Sequence, residues 1–363
     1  MRPLSRLDRS GRRLRQFAAA CLVSVAVLGV LDSPATSQAA VHVLTGIRTT
    51  QIAAKGLAPG ASTSALGSAP APIATVPDPT DSSGAPDRVA EPDLPGLGPS
   101  VGVPVPAGWT STVEQVQTGV LLRDYVVTRP TVTGPGTLPI LLVLHGHGMT
   151  PAGAARITNF ISTVGKAVVV FPAGFGKSWN AGGCCGLARA AGIDDVSFLT
   201  TVIHDVLASV PGTSAQSVYL AGFSNGGRMA YRMACTNPGL FAGVAAVEAV
   251  PVPTCVPSRP VSIAIVAYQE DPYLSIAAPE PVRVVRGLEE PRVSDIVAQW
   301  RQIDGCVGNP TVTEVGTAIN SVWSACQNQT RVQYTLYAGG THRWPQGDGE
   351  TPGASQIIWS LLR

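Results

Sequence analysis

From Trp109 onward the chain carries six short runs rich in Val and Ile, at residues 140–144, 167–171, 218–221, 244–247, 261–266 and 332–337. Several lack the polar alternation of a strand with one wet face, so both faces of each strand are expected to be buried. Helix-like patterns lie between them, at residues 194–207, 227–235, 293–303 and 354–362. Strands that alternate with helices require crossover connections. The expected fold is therefore α/β, a mostly parallel sheet with helices on both faces. Residues 108–363 are ample for one such domain, and no internal repeat is present.

The preceding third of the chain has a different texture. The whole sequence of 363 residues holds 39 glycines and 31 prolines, about a fifth of all positions, where an average protein has roughly an eighth. Much of that excess falls in residues 40–107, dominated by Ala, Pro, Gly, Ser and Thr with no periodic apolar stripe. Such a stretch buries too little surface to offset its ordering entropy and is expected to be a disordered spacer.

Residues 1–39 read as an export signal. Arg2, Arg6, Arg9, Arg12, Arg13 and Arg15 precede an apolar run from Phe17 to Leu31, followed by Ser37-Gln38-Ala39-Ala40. The run is short for a bilayer span, which takes about twenty residues. Membrane contact is expected only through a transient or uncleaved signal, and the mature chain is expected outside the cell. Cys21 precedes most of the apolar run, the wrong order for a lipidation site. The other six cysteines form an even set in an exported chain and are expected to be oxidised. Cys306–Cys326 and Cys235–Cys255 would each close a local loop; Cys184 and Cys185 pair with each other or cross-pair. A formal net charge of +2 excludes the basic field that nucleic-acid binding requires.

The chemistry concentrates in a few turns. Gly222-Phe223-Ser224-Asn225-Gly226 follows an apolar run and precedes a helix-like segment, the context in which a serine hydroxyl is pushed out of a sheet beside a helix N-terminus. Gly98-Pro99-Ser100-Val101-Gly102 matches the same pattern inside the spacer, where neither strand nor helix is expected. A serine nucleophile needs a base. Of the five histidines, His42 lies in the spacer, His204 in a helix-like run, and His145 and His147 bracket Gly146 after the first strong strand. His342 follows the last strand-like run, where the base falls in the chain order serine, acid, histidine. Asp271, in the loop Gln269-Glu270-Asp271-Pro272, is the first candidate for the acid; Glu270 and Asp295 are its rivals. The His145-Gly146-His147-Gly148 turn offers backbone N–H groups for an oxyanion hole, with His147 and Asn225 as the donors. An H-x-H metal site is the competing reading of that turn. No metal or cofactor is expected, because no further ligand follows at close spacing.

These residues, with Arg228-Met229-Ala230-Tyr231-Arg232-Met233-Ala234-Cys235, resemble the extracellular polyhydroxybutyrate depolymerase / feruloyl esterase family of α/β-hydrolases. Leu144-His145-Gly146, Trp179-Asn180-Ala181-Gly182, Cys184-Cys185-Gly186, Ile193-Asp194-Asp195-Val196, Gly340-Thr341-His342-Arg343-Trp344-Pro345 and Ile358-Trp359 agree with it. The resemblance runs from about Gly108 to the C-terminus. It implies an α/β-hydrolase fold and a secreted serine carboxylesterase with Ser224, Asp271 and His342 as its triad, acting on an ester substrate. Trp179 and Trp344 become candidate pocket walls, with the core as their other possible place. The chain departs from the family where Ala267-Tyr268-Gln269-Glu270 stands in place of a His-Gly-containing turn. A separate substrate-binding domain is not apparent, which favours a soluble or plant-derived ester over a crystalline polymer. Two other readings stand beside esterase: a peptidase of the same fold, and a binding or cell-envelope protein on a scaffold that has lost activity.

Overall fold

Each apolar run becomes one strand in the centre of a ten-stranded sheet. The computed structural model describes residues 102–133, 136–285 and 287–362, without the side chain of residue 285. The export signal expected at residues 1–39, and the spacer up to residue 101 with His42 and Ser100, lie outside the described residues. Among the described residues no helix is long and apolar enough to cross a membrane.

The strands are β1 (Trp109–Thr118), β2 (Leu121–Pro130), β3 (Leu138–Leu144), β4 (Val168–Pro172), β5 (Thr213–Phe223), β6 (Gly243–Val247), β7 (Ser262–Tyr268), β8 (Arg283–Val285), β9 (Leu288–Glu290), β10 (Thr311–Val315), β11 (Ala318–Trp323) and β12 (Val332–Tyr337). The helices are α1 (Pro151–Thr158), α2 (Phe160–Val164), α3 (Gly186–Ala190), α4 (Asp195–Ser209), α5 (Asn225–Thr236), α6 (Val293–Ile303) and α7 (Ala354–Leu362). The main sheet runs β1-β2-β4-β3-β5-β6-β7-β12-β11-β10, and β8 pairs with β9 as a separate hairpin.

From β4 to β12 every pairing is parallel, and these six strands are the six apolar runs. The flanking strands β1, β2, β11 and β10 pair antiparallel. The edge strands gave no comparable signal because they are wet: β10, Thr-Val-Thr-Glu-Val, is exposed along its whole length, whereas β2 is buried on both faces from Tyr125 to Thr128.

Alternate residues of each central strand serve two cores. Ile140, Leu142 and Leu144 pack with α4, α5 and α6 on one face. Leu141 and Val143 pack with α1, α2 and α7 on the other. Val103 is buried in the second core, so packing reaches back into the last residues of the segment read as spacer. Cys235 with Cys255, Cys306 with Cys326, and Cys184 with Cys185 stand as disulfide pairs. With its parallel centre, helices on both faces and a serine turn between β5 and α5, the domain has the α/β-hydrolase fold.

Candidate active site

A single residue, Ser224, joins the end of β5 to the start of α5. Its φ of 53° and ψ of −115° are strained for a residue with a side chain. The glycines on either side are steric necessities. A Cβ at 222 would sit 2.1 Å from the Gly226 carbonyl oxygen, and one at 226 would sit 2.4 Å from that of Leu144. The Ser224 N–H donates to the Val247 carbonyl at 2.9 Å, and its carbonyl accepts from the Arg228 N–H at 3.0 Å. The turn is thus anchored to β6 and to the first turn of α5.

The other groups arrive from the next strands in order. Glu248 follows β6, Asp271 follows β7 and His342 follows β12, all at carboxyl ends of adjacent parallel strands. Because β7 and β12 run side by side, the Gln269 N–H donates to the Tyr337 carbonyl, and the loops after both strands meet. His342 Nε2 lies 2.7 Å from Ser224 Oγ, and His342 Nδ1 lies 2.6 Å from Asp271 Oδ2. Asp271 is almost fully buried, and its Oδ1 accepts the Tyr273 N–H at 2.6 Å. Burial acts to raise its pKa, but hydrogen bonds with His342, Glu248 and the Tyr273 N–H outweigh burial and hold it below the usual carboxylate range. An ionised Asp271 accepts a hydrogen bond from His342 Nδ1–H, which keeps the proton on Nδ1 and leaves the Nε2 lone pair facing the serine hydroxyl.

The rival acids stand elsewhere. Glu270 is exposed, and Asp295 sits on α6 beside Arg292, with its side chain 53% exposed. His204 is exposed on α4. His145 is buried; its Nε2 accepts the Gly174 N–H and its Nδ1 bonds the Gly146 carbonyl, each at 2.9 Å. Burial pushes its pKa down to about 4, so it is neutral and braces the turn that carries His147. His147 itself is exposed, and the turn's backbone bonds, Gly148 to Lys177 and Met149 to Gly146, leave its N–H outside them. The Asn225 N–H is the first of α5 and has no intrahelical acceptor. A Cβ at 226 would also lie 2.6 Å from the His145 carbonyl oxygen, so the turn that leads to His147 packs against the Ser224 turn.

Glu248 was not singled out from the sequence. It is 1% exposed, has a φ of 51°, and accepts the Tyr268 N–H on Oε1 at 2.8 Å. A carboxyl oxygen of Glu248 lies within 4.8 Å of both an Asp271 oxygen and a His342 nitrogen. Burial, then the neighbouring Asp271, push its pKa up to about 11, so at neutral pH it is a carboxylic acid. The proton it carries is the one it shares in a hydrogen bond with Asp271. Glu248, Asp271 and His342 are spaced closely enough for a cation, but both His342 nitrogens already face Asp271 and Ser224. A lone Glu ending the run Val244-Ala245-Ala246-Val247 was the available signal, since a carboxyl in such a run is buried and needs a partner.

Neither tryptophan lines the site. Trp179 is fully buried; its Nε1 donates to the His145 carbonyl, and its backbone exchanges two hydrogen bonds with the Asn225 side chain. The adjacent Asn180 N–H donates to Asp195, which pairs with Arg123 in a fully buried ion pair. Trp344 is 3% exposed, packs on Phe160 and Phe223, and donates from Nε1 to Ser355. Both indoles find their polar partners inside the core, so they fix loops and leave the cavity to other residues. The cavity beside His342, about 210 Å³, is walled by Cys184, Cys185, Arg228, Tyr273, Arg283 and Glu290. A larger depression of about 380 Å³ lies at the amino ends of β3 and β5, by Thr110 and Leu138, away from these groups.

No family model matches the chain. A protein described as "Putative esterase NocK", from Nocardia uniformis subsp. tsuyamanensis, is 27% identical over 234 residues, which is 59% of this chain and 67% of that protein. Among solved structures, an acetyl xylan esterase from Aspergillus awamori is similar with a TM-score of 0.49 and 13% identity, over 69% of this chain and 98% of that one. A thermostable esterase is similar with a TM-score of 0.42 and 15% identity, over 70% of this chain and 60% of that one.

Proposed function

We propose that the chain is a secreted serine carboxylesterase that works through an acyl-enzyme. The observation that carries this reading is the unbroken hydrogen-bonded line from Asp271 through His342 to Ser224, at 2.6 and 2.7 Å. Ser224 Oγ attacks the ester carbonyl as His342 Nε2 takes its proton. The tetrahedral oxyanion is met by the backbone N–H groups of His147 and Asn225. His342 then returns the proton to the departing alcohol, and water repeats the sequence to release the acid. Asp271 holds the imidazole tautomer throughout and stabilises its charge.

Feruloyl, acetyl or hydroxyalkanoate-type esters are the proposed substrates, supported by the resemblance to the polyhydroxybutyrate depolymerase / feruloyl esterase family and by the esterase-named relative. Export is supported by the basic and apolar pattern of residues 1–39 and by the paired cysteines.

The test is hydrolysis of p-nitrophenyl acetate and butyrate by oxidised full-length protein, with Ser224→Ala alongside and a fluorophosphonate probe on both. Turnover and labelling that fall about a million-fold or vanish in the variant are expected. Folded protein that neither turns over nor labels would move the reading to a binding scaffold.

A further inference from the structure

The segment between Asp271 and α6 supplies three walls of the cavity beside His342: Tyr273, Arg283 and Glu290. Arg228, on the first turn of α5, and the Cys184–Cys185 pair close other sides. Tyr273 is the wall of this cavity that touches the triad. The Tyr273 ring meets His342 edge-on, with centroids 4.9 Å apart, and the Arg228 N–H donates to the Ser224 carbonyl.

Two guanidinium groups and one carboxylate therefore share a small space in a chain with only 13% charged residues. Arg228 and Glu290 satisfy each other: Nη2 donates to Oε1 at 2.6 Å, with Glu290 buried. Among the described residues Arg283 has no such counterion. Its guanidinium stands over the Tyr273 ring at 5.6 Å, and its Nη1 is shut off from solvent with no hydrogen-bond partner. A guanidinium nitrogen left this way is costly, and the group that answers it best is a carboxylate, which accepts two parallel N–H bonds. The space suits a short chain of a few carbons, since a water-sized group takes about 30 Å³.

We propose that the ester substrate carries a carboxylate of its own, seated against Arg283 while the ester carbonyl sits at Ser224. The preferred class is then a half-ester of a short dicarboxylic acid, or another small ester with an acidic end. Arg283 acts as the specificity residue, and Glu290 keeps Arg228 from competing with it. This rests on the serine-esterase reading above.

The test compares full-length protein on 4-nitrophenyl hemiglutarate and on its methyl-capped counterpart, which is uncharged and one methyl longer. Wild type is expected to favour the charged ester in kcat/KM. Arg283→Met should lower the charged-to-neutral ratio by about 10- to 100-fold, and Arg283→Lys should keep part of it. Binding of free glutarate to Ser224→Ala by calorimetry, and its loss in Ser224→Ala/Arg283→Met, reads the same site without turnover. A wild-type ratio of one or less, a ratio that Arg283→Met leaves in place, or glutarate binding that survives Arg283→Met would overturn the proposal. If neither ester is cleaved and Ser224 does not label, the esterase reading fails instead, and glutarate binding alone decides whether the cation site exists.

Discussion

Five contiguous residues make the Ser224 turn, whereas the Asp271 corner draws on the ends of three strands. At the turn, two glycines relieve contacts of 2.1 and 2.4 Å, and one serine bears the strained backbone between strand and helix. At the corner, Asp271 is held by the Tyr273 N–H two residues on, by His342 seventy-one residues away, and by neutral Glu248 from the neighbouring strand. The turn depends on sterics within a single short segment. The corner depends on a proton shared among groups that only folding brings together, so it is exposed to pH and to single substitutions in a way the turn is not.

The largest expected effect breaks the corner and spares the turn. Asp271→Asn should lower kcat on p-nitrophenyl butyrate by about 10,000-fold, because the imidazole then adopts the wrong tautomer. Glu270→Gln, at an exposed position, should stay within about twofold in the same assay; the reverse pattern would reassign the acid. Breaking the turn instead costs stability: Gly226→Ala places a Cβ against the Leu144 and His145 carbonyls and should lower the unfolding free energy by about 3 kcal/mol, read by urea denaturation.

The proton on Glu248 sharpens the comparison further. Folded, Glu248 keeps its proton up to about pH 11; unfolded, it releases it near 4.5. Between those values the folded chain binds more protons, so this group's contribution falls as pH rises, by at most about 1.4 kcal/mol per pH unit. Asp271 has the opposite sign: its pKa is lowered on folding, so its stabilisation is present above the ordinary carboxylate range and is lost on acidification. Glu248→Gln keeps a hydrogen-bond donor but has no proton to lose. The Tm gap between this variant and wild type should therefore widen in the variant's favour from pH 5 to pH 9. A gap independent of pH would mean that Glu248 is ionised in the folded protein. Smallest of all, Trp344→Phe removes one buried hydrogen bond to Ser355 and should cost about 1 kcal/mol of stability, measured by thermal unfolding. A large change in substrate preference would put Trp344 back in the pocket.

The sequence was most legible where each element is buried on both faces. All six parallel strands announced themselves as apolar runs because both faces are buried; β12 alone carries buried polar residues, Gln333 and Thr335, which bond each other and Asn320. The antiparallel flanks did not, since β1 and β10 alternate or stay wet, and their pairing comes from register with a neighbour. Ser224 and His342 stood out through chain order and local turns, and Asp271 through its place after a strand. Glu248 passed unnoticed because nothing in its own segment says what it faces. The two tryptophans could belong to a pocket or to the core on sequence alone; their indole nitrogens bond to His145 and Ser355, partners that only the fold supplies.

By itself, then, the sequence determined the parallel α/β layering and the serine turn, because burial of whole strands and the steric needs of one strained residue are properties of contiguous segments. The tertiary structure decided which carboxyl stays charged, which is neutral, and which arginine has no counterion among the described residues. Those outcomes depend on distances between residues far apart in the chain and on how completely water is excluded from them.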